Sequence, residues 1–141
     1  MSAYEISTDS SRLDLGAIHA FLSQAYWSPG IPRATVERAI ANSLCFGAFR
    51  QGQQVGFARV VTDKATFAYL CDVYVLEAHR GRGVAGQLMD QVMRHPHLQG
   101  LRRMMLATLD AHALYAKSGF KALAAPGLMM EVHKPDVYSA R

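Results

Sequence analysis

The sequence of 141 residues predicts an α/β or α+β fold, with a mixed, mainly antiparallel sheet flanked by helices and one βαβ crossover. Half of the residues are hydrophobic and 18% are charged, which is typical of a globular chain that can bury a core. Three strand-like runs follow one another directly, and helical and strand-like runs alternate after them. Because no long linker or repeat interrupts the chain, we expect one domain over residues 1–141.

A short strand and two helices are predicted before the three-stranded region. Residues 4–7 have strand character, and apolar residues at helical spacing predict a helix over about residues 12–26. The segment 27–32 contains two prolines and a glycine and is therefore predicted to be a loop. A second, shorter helix is expected over residues 35–42.

The central region is predicted to be an antiparallel meander. Residues 44–50 and 55–62 are strand-like, and the Gln-Gly-Gln sequence at 51–53 between them is typical of a hairpin. A third strand is expected over residues 67–76. Its apolar character is interrupted by a single charge, Asp72.

Two helices and two strands are predicted in the remainder of the chain. Residues 83–93 place apolar side chains on one helical face, and 104–109 form an apolar strand. A short helix is expected over 111–118, ending before Gly119, and a last strand over 128–132.

Composition argues against several classes of protein. Two cysteines are too few for a disulfide scaffold, and the His-Pro-His sequence at 95–97 lacks a third ligand, so we expect no metal site. No apolar run is long enough to span a bilayer, and acidic and basic residues near the N-terminus argue against a secretory signal. We therefore expect a cytoplasmic protein without membrane contact. The net charge of +4 permits an anionic ligand, but no aromatic residues interleave with Arg102 and Arg103, so nucleic-acid binding is not expected.

The most informative segment is the turn from Arg80 to Gly86, with the sequence Arg-Gly-Arg-Gly-Val-Ala-Gly. It follows a strand and leads into a helix. Glycines let the backbone approach a ligand, and the free N–H groups of a helix N-terminus suit a phosphate. A dinucleotide fingerprint fits poorly, because four residues separate the strand from the first glycine, and no Gly-Lys-Ser/Thr follows for a Walker motif.

Two motifs together resemble the GNAT superfamily of N-acetyltransferases. Arg80-x-x-Gly83-x-Ala85 is similar to the signature that binds the pyrophosphate of coenzyme A in that family. About 30 residues later, Leu114-Tyr115-x-Lys117-x-Gly119-Phe120 is similar to a second family segment. The resemblance covers nearly the whole chain. It implies a splayed pair of central strands and acetyl transfer from acetyl-CoA directly to a primary amine. The alternative is a non-catalytic domain that binds or senses acyl-CoA.

The resemblance also implies where coenzyme A binds. Backbone groups at the end of the third strand would contact pantetheine, and the Val75 N–H would hold the acetyl carbonyl. Thr108 occupies a position where many members have an asparagine that bonds pantetheine. A threonine hydroxyl can fill only part of that role, so the resemblance leaves this contact undecided. The residues expected to bind the cofactor are Val73, Tyr74, Val75, Arg80, Gly81, Arg82, Gly83, Val84, Ala85, Gly86, Thr108 and Tyr115.

Acetyl transfer needs a neutral amine and a proton for the departing thiolate. Tyr115 is the candidate general acid, because a phenol is protonated at neutral pH. Asp72 is the candidate base, with water, Glu77 or His79 as alternatives. Cys71 has no base at a recognisable spacing, which favours direct transfer over a covalent enzyme intermediate.

The acceptor amine is not identified by the sequence, although one short domain favours a small molecule. Residues expected to wall its site are Tyr26, Trp27, Asp63, Phe67 and Tyr69. A homodimer is also possible, because many members of the family pair across sheet edges.

Overall fold

A mixed five-stranded sheet forms the centre of the computed structural model, which describes residues 3–139. The strands lie in chain order, and the first four are antiparallel to their neighbours, whereas the last is parallel to the fourth. The predicted fold class is confirmed. The strands are β1 (Glu5–Ser7), β2 (Leu44–Arg50), β3 (Gln53–Thr62), β4 (Phe67–Val75) and β5 (Arg103–Leu106).

Four helices cover the two faces of this sheet. They are α1 (Leu15–Leu22), α2 (Arg33–Ala41), α3 (Val84–Arg94) and α4 (His112–Ala116). Side chains of α1 and α2 share one apolar cluster with Phe57 and Tyr74, and α3 shares another with Phe46 and Tyr115. Neighbouring residues of β2 alternate between the clusters, as expected for a strand covered on both sides.

The first helix is shorter than its apolar pattern predicts. Asp14 caps it by accepting a hydrogen bond from the Ala17 N–H at 3.0 Å, and residues 10–12 form a separate 3-10 turn. At the other end, the Ser28 hydroxyl donates to the Leu22 carbonyl at 2.7 Å. Polar capping at both ends therefore limits the helix to Leu15–Leu22.

The predicted hairpin between β2 and β3 is present. Gln51 and Gly52 both have positive φ values, 52° and 80°, which is the conformation that a tight two-residue hairpin turn requires. This turn fixes the register that places Arg59 opposite Cys45.

The strand predicted at 128–132 is wrong. Residues 126–128 form a 3-10 turn, and the following residues are extended but belong to no strand of the described chain. Leu128, Met130 and Val132 are 80%, 95% and 91% exposed. Their alternation has strand character, but a strand must also pair with a neighbouring strand, and among residues 3–139 this segment pairs with none.

The two central parallel strands separate part-way along their length. Their pairing ends at Leu70 and Leu106, whereas β4 continues to Val75. The strand predicted to reach residue 109 therefore ends at Leu106, where the chain diverges from β4. The resulting gap positions the candidate site. None of the helices within residues 3–139 has the length and apolar character of a membrane span.

Candidate active site

An open cleft occupies the gap between the separated ends of β4 and β5. Its volume is about 440 Å³, which is in the range of small-molecule sites. Aromatic rings, one strand edge and the loop before α4 enclose it. The lining residues are Tyr26, Trp27, Tyr69, Leu70, Cys71, Asp72, Val73, Leu106, Ala107, Thr108, Leu109, Asp110, Ala111 and Tyr115.

Asp72 lies at an irregularity in the sheet beside this cleft. The pairing of β3 with β4 shifts between Phe57 and Arg59, and Asp72 has a φ of 56° in the left-handed region. Aspartate is one of the few residues that tolerate this conformation. The extra residue in β4 forms a β-bulge, a feature that is over-represented next to active sites.

Both carboxylate oxygens of Asp72 accept hydrogen bonds. Oδ1 accepts from the Trp27 indole at 2.9 Å, and Oδ2 accepts from Arg59 Nε at 2.8 Å. The Asp72 side chain is only 10% exposed and that of Arg59 is 19% exposed. Arg59 also donates to the Ser43 hydroxyl at 3.1 Å. Asp72 is thus a charge-paired anchor for the tryptophan that lines the cleft.

The Tyr26–Trp27 segment bridges the two sides of the cleft. Trp27 is bound to β4 through Asp72, and the Tyr26 hydroxyl accepts from the Leu109 N–H at 3.3 Å on the β5 side. The two rings meet edge to face, with centroids 5.1 Å apart. This segment therefore forms an aromatic roof over the cleft.

Tyr115 projects from α4 and is 9% exposed. The Thr108 hydroxyl accepts from the Ala111 N–H at 3.0 Å just before the helix, which supports the turn that presents this tyrosine. Burial raises the pKa of Tyr115 above its ordinary value, and nearby Tyr26 and Asp110 add to the rise. The phenol thus remains protonated at neutral pH and can donate a proton.

The Arg80–Gly86 turn presents backbone rather than side chains at the start of α3. Gly81 and Gly83 have φ values of 74° and 81°, and a Cβ at either position would meet open space. The first N–H groups of α3 have no acceptor within the helix. Arg80 Nε donates to the Val75 carbonyl at 2.9 Å, which joins the turn to the end of β4. The turn can therefore receive an anionic group next to the strand edge.

Cys71 lines the cleft but is a poor nucleophile. Burial raises the pKa of its thiol to about 12, and the negative charge of Asp72 adds to the effect. The thiolate needed for covalent catalysis is thus disfavoured.

Some candidate residues are not among those that line the cleft. The Asp63 carboxylate accepts from the Thr66 hydroxyl at 2.6 Å and from the backbone N–H groups of residues 65, 66 and 67 in the hairpin before β4. These bonds lower its pKa well below the usual range. Phe67 begins β4, two residues before Tyr69. Glu77 lies in the 3-10 turn that precedes Arg80, and the ring of His79 is bonded to the Tyr4 hydroxyl at 3.0 Å.

Arg59 is a site residue that the sequence reasoning missed. The sequence did contain a signal for it, because Arg59 is the one charged residue in the strand-like run 55–62, just as Asp72 is the one charged residue in the next run. Two lone charges in consecutive antiparallel strands favour a buried pair. Tyr26 was identified, but its bond to Leu109 joins residues 83 positions apart and leaves no local pattern.

Comparison with known proteins gives a consistent result. Residues 13–120 match the family model described as Acetyltransferase (GNAT) family. A Gibberella zeae protein described as an acetyltransferase is 36% identical over 138 residues, covering 82% of this chain and 77% of that protein. A crystal structure from Xanthomonas campestris, assigned to the GNAT family, is 57% identical, with a TM-score of 0.97 over 99% of both chains. A Mycobacterium tuberculosis protein in complex with CoA shares the fold at 18% identity, with a TM-score of 0.69 over 84% of this chain and 72% of that one.

Proposed function

Because the chain belongs to the GNAT acetyltransferase family, we propose that it transfers acetyl from acetyl-CoA directly to a primary amine of a small molecule. The observation that carries this proposal is the separation of β4 from β5 beyond Leu70 and Leu106. It leaves Cys71, Asp72 and Val73 of β4 lining a cleft, and β4 continues from there to Val75, whose carbonyl accepts a hydrogen bond from Arg80 of the Arg80–Gly86 turn.

The turn supplies a site for the pyrophosphate of coenzyme A. Glycines at 81 and 83 expose the backbone, and the N–H groups at the start of α3 carry the positive end of the helix dipole. Arg80 and Arg82 add positive charge on the same short segment. The backbone groups of Val73 and Val75 would bind pantetheine in the manner of an additional strand, because those of Tyr74 between them face Phe57 of β3. The ring of Tyr74 is buried and stacks on Phe21.

The bound thioester would lie between Val75 at the end of β4 and the cleft that Asp72 and Val73 line. Attack by a neutral amine forms the new C–N bond and places negative charge on the acetyl oxygen. The Val75 N–H would stabilise that oxyanion. Collapse of the tetrahedral intermediate breaks the C–S bond, and the thiolate takes a proton from the Tyr115 hydroxyl. The attacking nitrogen still carries one proton more than an amide and releases it to solvent, and solvent returns a proton to Tyr115. The acetyl group passes directly from sulfur to nitrogen, so it is never attached to the enzyme.

The acceptor reaches the cleft as an ammonium ion and must lose one proton to attack. We assign this proton to water, because the Asp72 carboxylate is paired with Arg59, bonded to Trp27 and only 10% exposed. Asp110 contributes negative charge to the lining, and Tyr26, Trp27 and Tyr69 contribute ring faces that suit a cation. We therefore expect a small cationic amine as the acceptor.

An acetyl-CoA consumption assay over a panel of primary amines tests the proposal. At least one amine should be acetylated, and Tyr115→Phe should lower turnover about 100-fold or more, the usual contribution of a general acid. Its CoA affinity should be unchanged by calorimetry. Phe120→Leu is a matched control, because its ring packs against Tyr115 without a hydroxyl.

Two results would overturn the proposal. Absence of CoA binding at millimolar concentration would exclude the turn as a pyrophosphate site. CoA binding without turnover on any amine would favour the alternative, an acyl-CoA sensor.

A further inference from the structure

Asp110 is a carboxylate of the cleft lining whose charge the protein does not compensate. The lining contains two acidic residues, Asp72 and Asp110, and no basic one among residues 3–139. The charge of Asp72 is paired with Arg59 at 2.8 Å. Asp110 is exposed, and within the described part of the chain its carboxylate has neither a hydrogen bond nor an ion pair. The cleft therefore presents one unpaired negative charge to whatever binds in it.

Asp110 does not cap the helix that follows it. An aspartate just before a helix commonly accepts hydrogen bonds from the first free N–H groups of that helix. Here α4 begins at Ala111 without a side-chain cap, and the Ala111 N–H donates to the Thr108 hydroxyl at 3.0 Å. Because Thr108 supports this turn, the local structure has no need of the Asp110 carboxylate, which is free to bind a ligand.

Aromatic rings line the same cleft as this charge. The Tyr26 hydroxyl accepts from the N–H of Leu109, the residue next to Asp110, and the Trp27 indole donates to Asp72. With these polar atoms engaged, the aromatic roof offers a ligand mainly ring surface, and both rings are exposed. A carboxylate together with open ring faces is a favourable setting for an ammonium group.

A carboxylate is a poor partner for the nitrogen that reacts. That nitrogen must be neutral to attack the thioester, and a nearby negative charge raises the pKa of an amine and so favours its charged form. A second ammonium group has the opposite effect, because like charge lowers the pKa of the first amine. Asp110 also precedes α4, whereas Tyr115, the candidate acid, lies near the end of that helix. The charge of Asp110 therefore suits a part of the acceptor away from the reacting nitrogen.

We propose that Asp110 binds a second, non-reacting ammonium group of the acceptor, which makes the acceptor a short aliphatic diamine. This inference rests on the proposed acetyl transfer and names its substrate class. One nitrogen is held as an ammonium by Asp110 and the aromatic roof, while the other, as a neutral amine, attacks the thioester near Tyr115. Both nitrogens lie in one cleft of about 440 Å³, so the chain between them is short. Asp110 is thus a residue that determines specificity rather than a catalytic residue.

Turnover of three amines of similar size tests this assignment. Diaminobutane has a second ammonium, butylamine ends in a methyl group, and γ-aminobutyrate ends in a carboxylate, so kcat/KM should fall in that order. Asp110→Asn should lower kcat/KM for diaminobutane about fivefold or more, mainly through KM, and should lower it much less for butylamine. Asp110→Lys should favour γ-aminobutyrate over diaminobutane. Asp90→Asn removes the same charge from an exposed position on α3 and is the matched control.

Binding can also be measured without turnover, from the fluorescence of Trp27, the one tryptophan of the chain. Asp110→Asn should raise the Kd for diaminobutane about fivefold, and Asp90→Asn should leave it unchanged. Equal losses of kcat/KM for diaminobutane and butylamine in Asp110→Asn would place Asp110 at the reacting nitrogen and overturn the proposal. An unchanged Kd in that variant, or no acetylation of any short diamine, would also overturn it.

The failure of this inference and that of the proposed function are distinguishable. Acetylation of other amines in the panel, but of no diamine, would overturn the diamine assignment and leave the acetyl transfer intact. Absence of CoA binding would instead overturn the acetyl transfer, because the fluorescence titration with diaminobutane does not require the cofactor.

Discussion

Replacement of Arg59 by methionine should destabilise the protein strongly. The change removes a guanidinium that lies 2.8 Å from the Asp72 carboxylate, and it keeps most of the side-chain volume. Asp72 is only 10% exposed, so its charge would remain in a poorly solvated place without a counter-ion. Removal of one partner of such a buried pair costs about 3–5 kcal/mol. Because some solvent reaches both side chains, we expect a loss of about 3 kcal/mol in the free energy of unfolding.

Urea and thermal unfolding measure this loss directly. For a chain of this size, about 3 kcal/mol corresponds to a melting temperature lower by roughly 6–12 °C. The double variant Arg59→Met/Asp72→Asn should regain about 1–3 kcal/mol, because no unpaired charge is left. Trp27 is the one tryptophan of the chain, so its fluorescence reports on the cleft. Asp72→Ala should shift its emission to longer wavelength and increase quenching by acrylamide.

A small effect would refute this reasoning. Exposed ion pairs contribute about 0–1 kcal/mol, so a loss below about 1 kcal/mol in Arg59→Met would mean that water solvates Asp72 well. Unchanged Trp27 fluorescence in Asp72→Ala would likewise show that the 2.9 Å hydrogen bond does not hold the roof in place.

Three further predictions concern the turn, the thiol and the hairpin. Gly81→Ala should weaken CoA binding measurably by calorimetry, whereas Gly100→Ala should not. Both glycines have nearly equal positive φ values, and a Cβ at either would meet open space, so both substitutions introduce a similar backbone strain of about 1–2 kcal/mol. A difference in CoA affinity between the two variants therefore reports contact with the ligand. Cys71→Ala should retain turnover in the consumption assay, and complete loss would indicate a covalent acetyl-enzyme. Asp63→Asn should be less stable than wild type at neutral pH. Its melting temperature, measured over a series of pH values, should fall less steeply on the acid side than that of wild type. The folded-state pKa of Asp63 is depressed, so its contribution is present above the unfolded value near 4 and is lost as pH falls through the folded value. An acid side identical to that of wild type would show that the hydrogen bonds of Asp63 do not cause the loss of stability at low pH.

Local sequence patterns predicted the central strands well. The bounds 44–50 were correct to the residue for β2, because apolar residues fill a strand that is covered on both faces and a hairpin turn follows it. Helix ends were less accurate. The predicted segments 12–26 and 111–118 are both longer than α1 and α4, since polar caps and loop contacts end a helix before its apolar pattern ends.

In the candidate site, too, some features follow from local sequence and others depend on contacts between distant parts of the chain. The glycine turn and Tyr115 belong to short motifs, so a short window of sequence was sufficient to single them out as candidates. The ion pair of Arg59 with Asp72 depends on the register between β3 and β4, including the bulge, which no short window contains. Asp63 looked like a pocket residue because it is an acid next to a hairpin, but its oxygens satisfy the backbone of that hairpin.

The cleft between the separated strands follows from one requirement of the polypeptide backbone. Each N–H and C=O group must be hydrogen-bonded, whether within the fold, to solvent or to a ligand. Beyond Leu70, the edge of β4 that faces β5 has no strand partner among the described residues, and Cys71, Asp72 and Val73 line the cleft there. An extended ligand with amide groups can pair with such an edge in the way that a further strand would. This is the physical basis of the proposed pantetheine site.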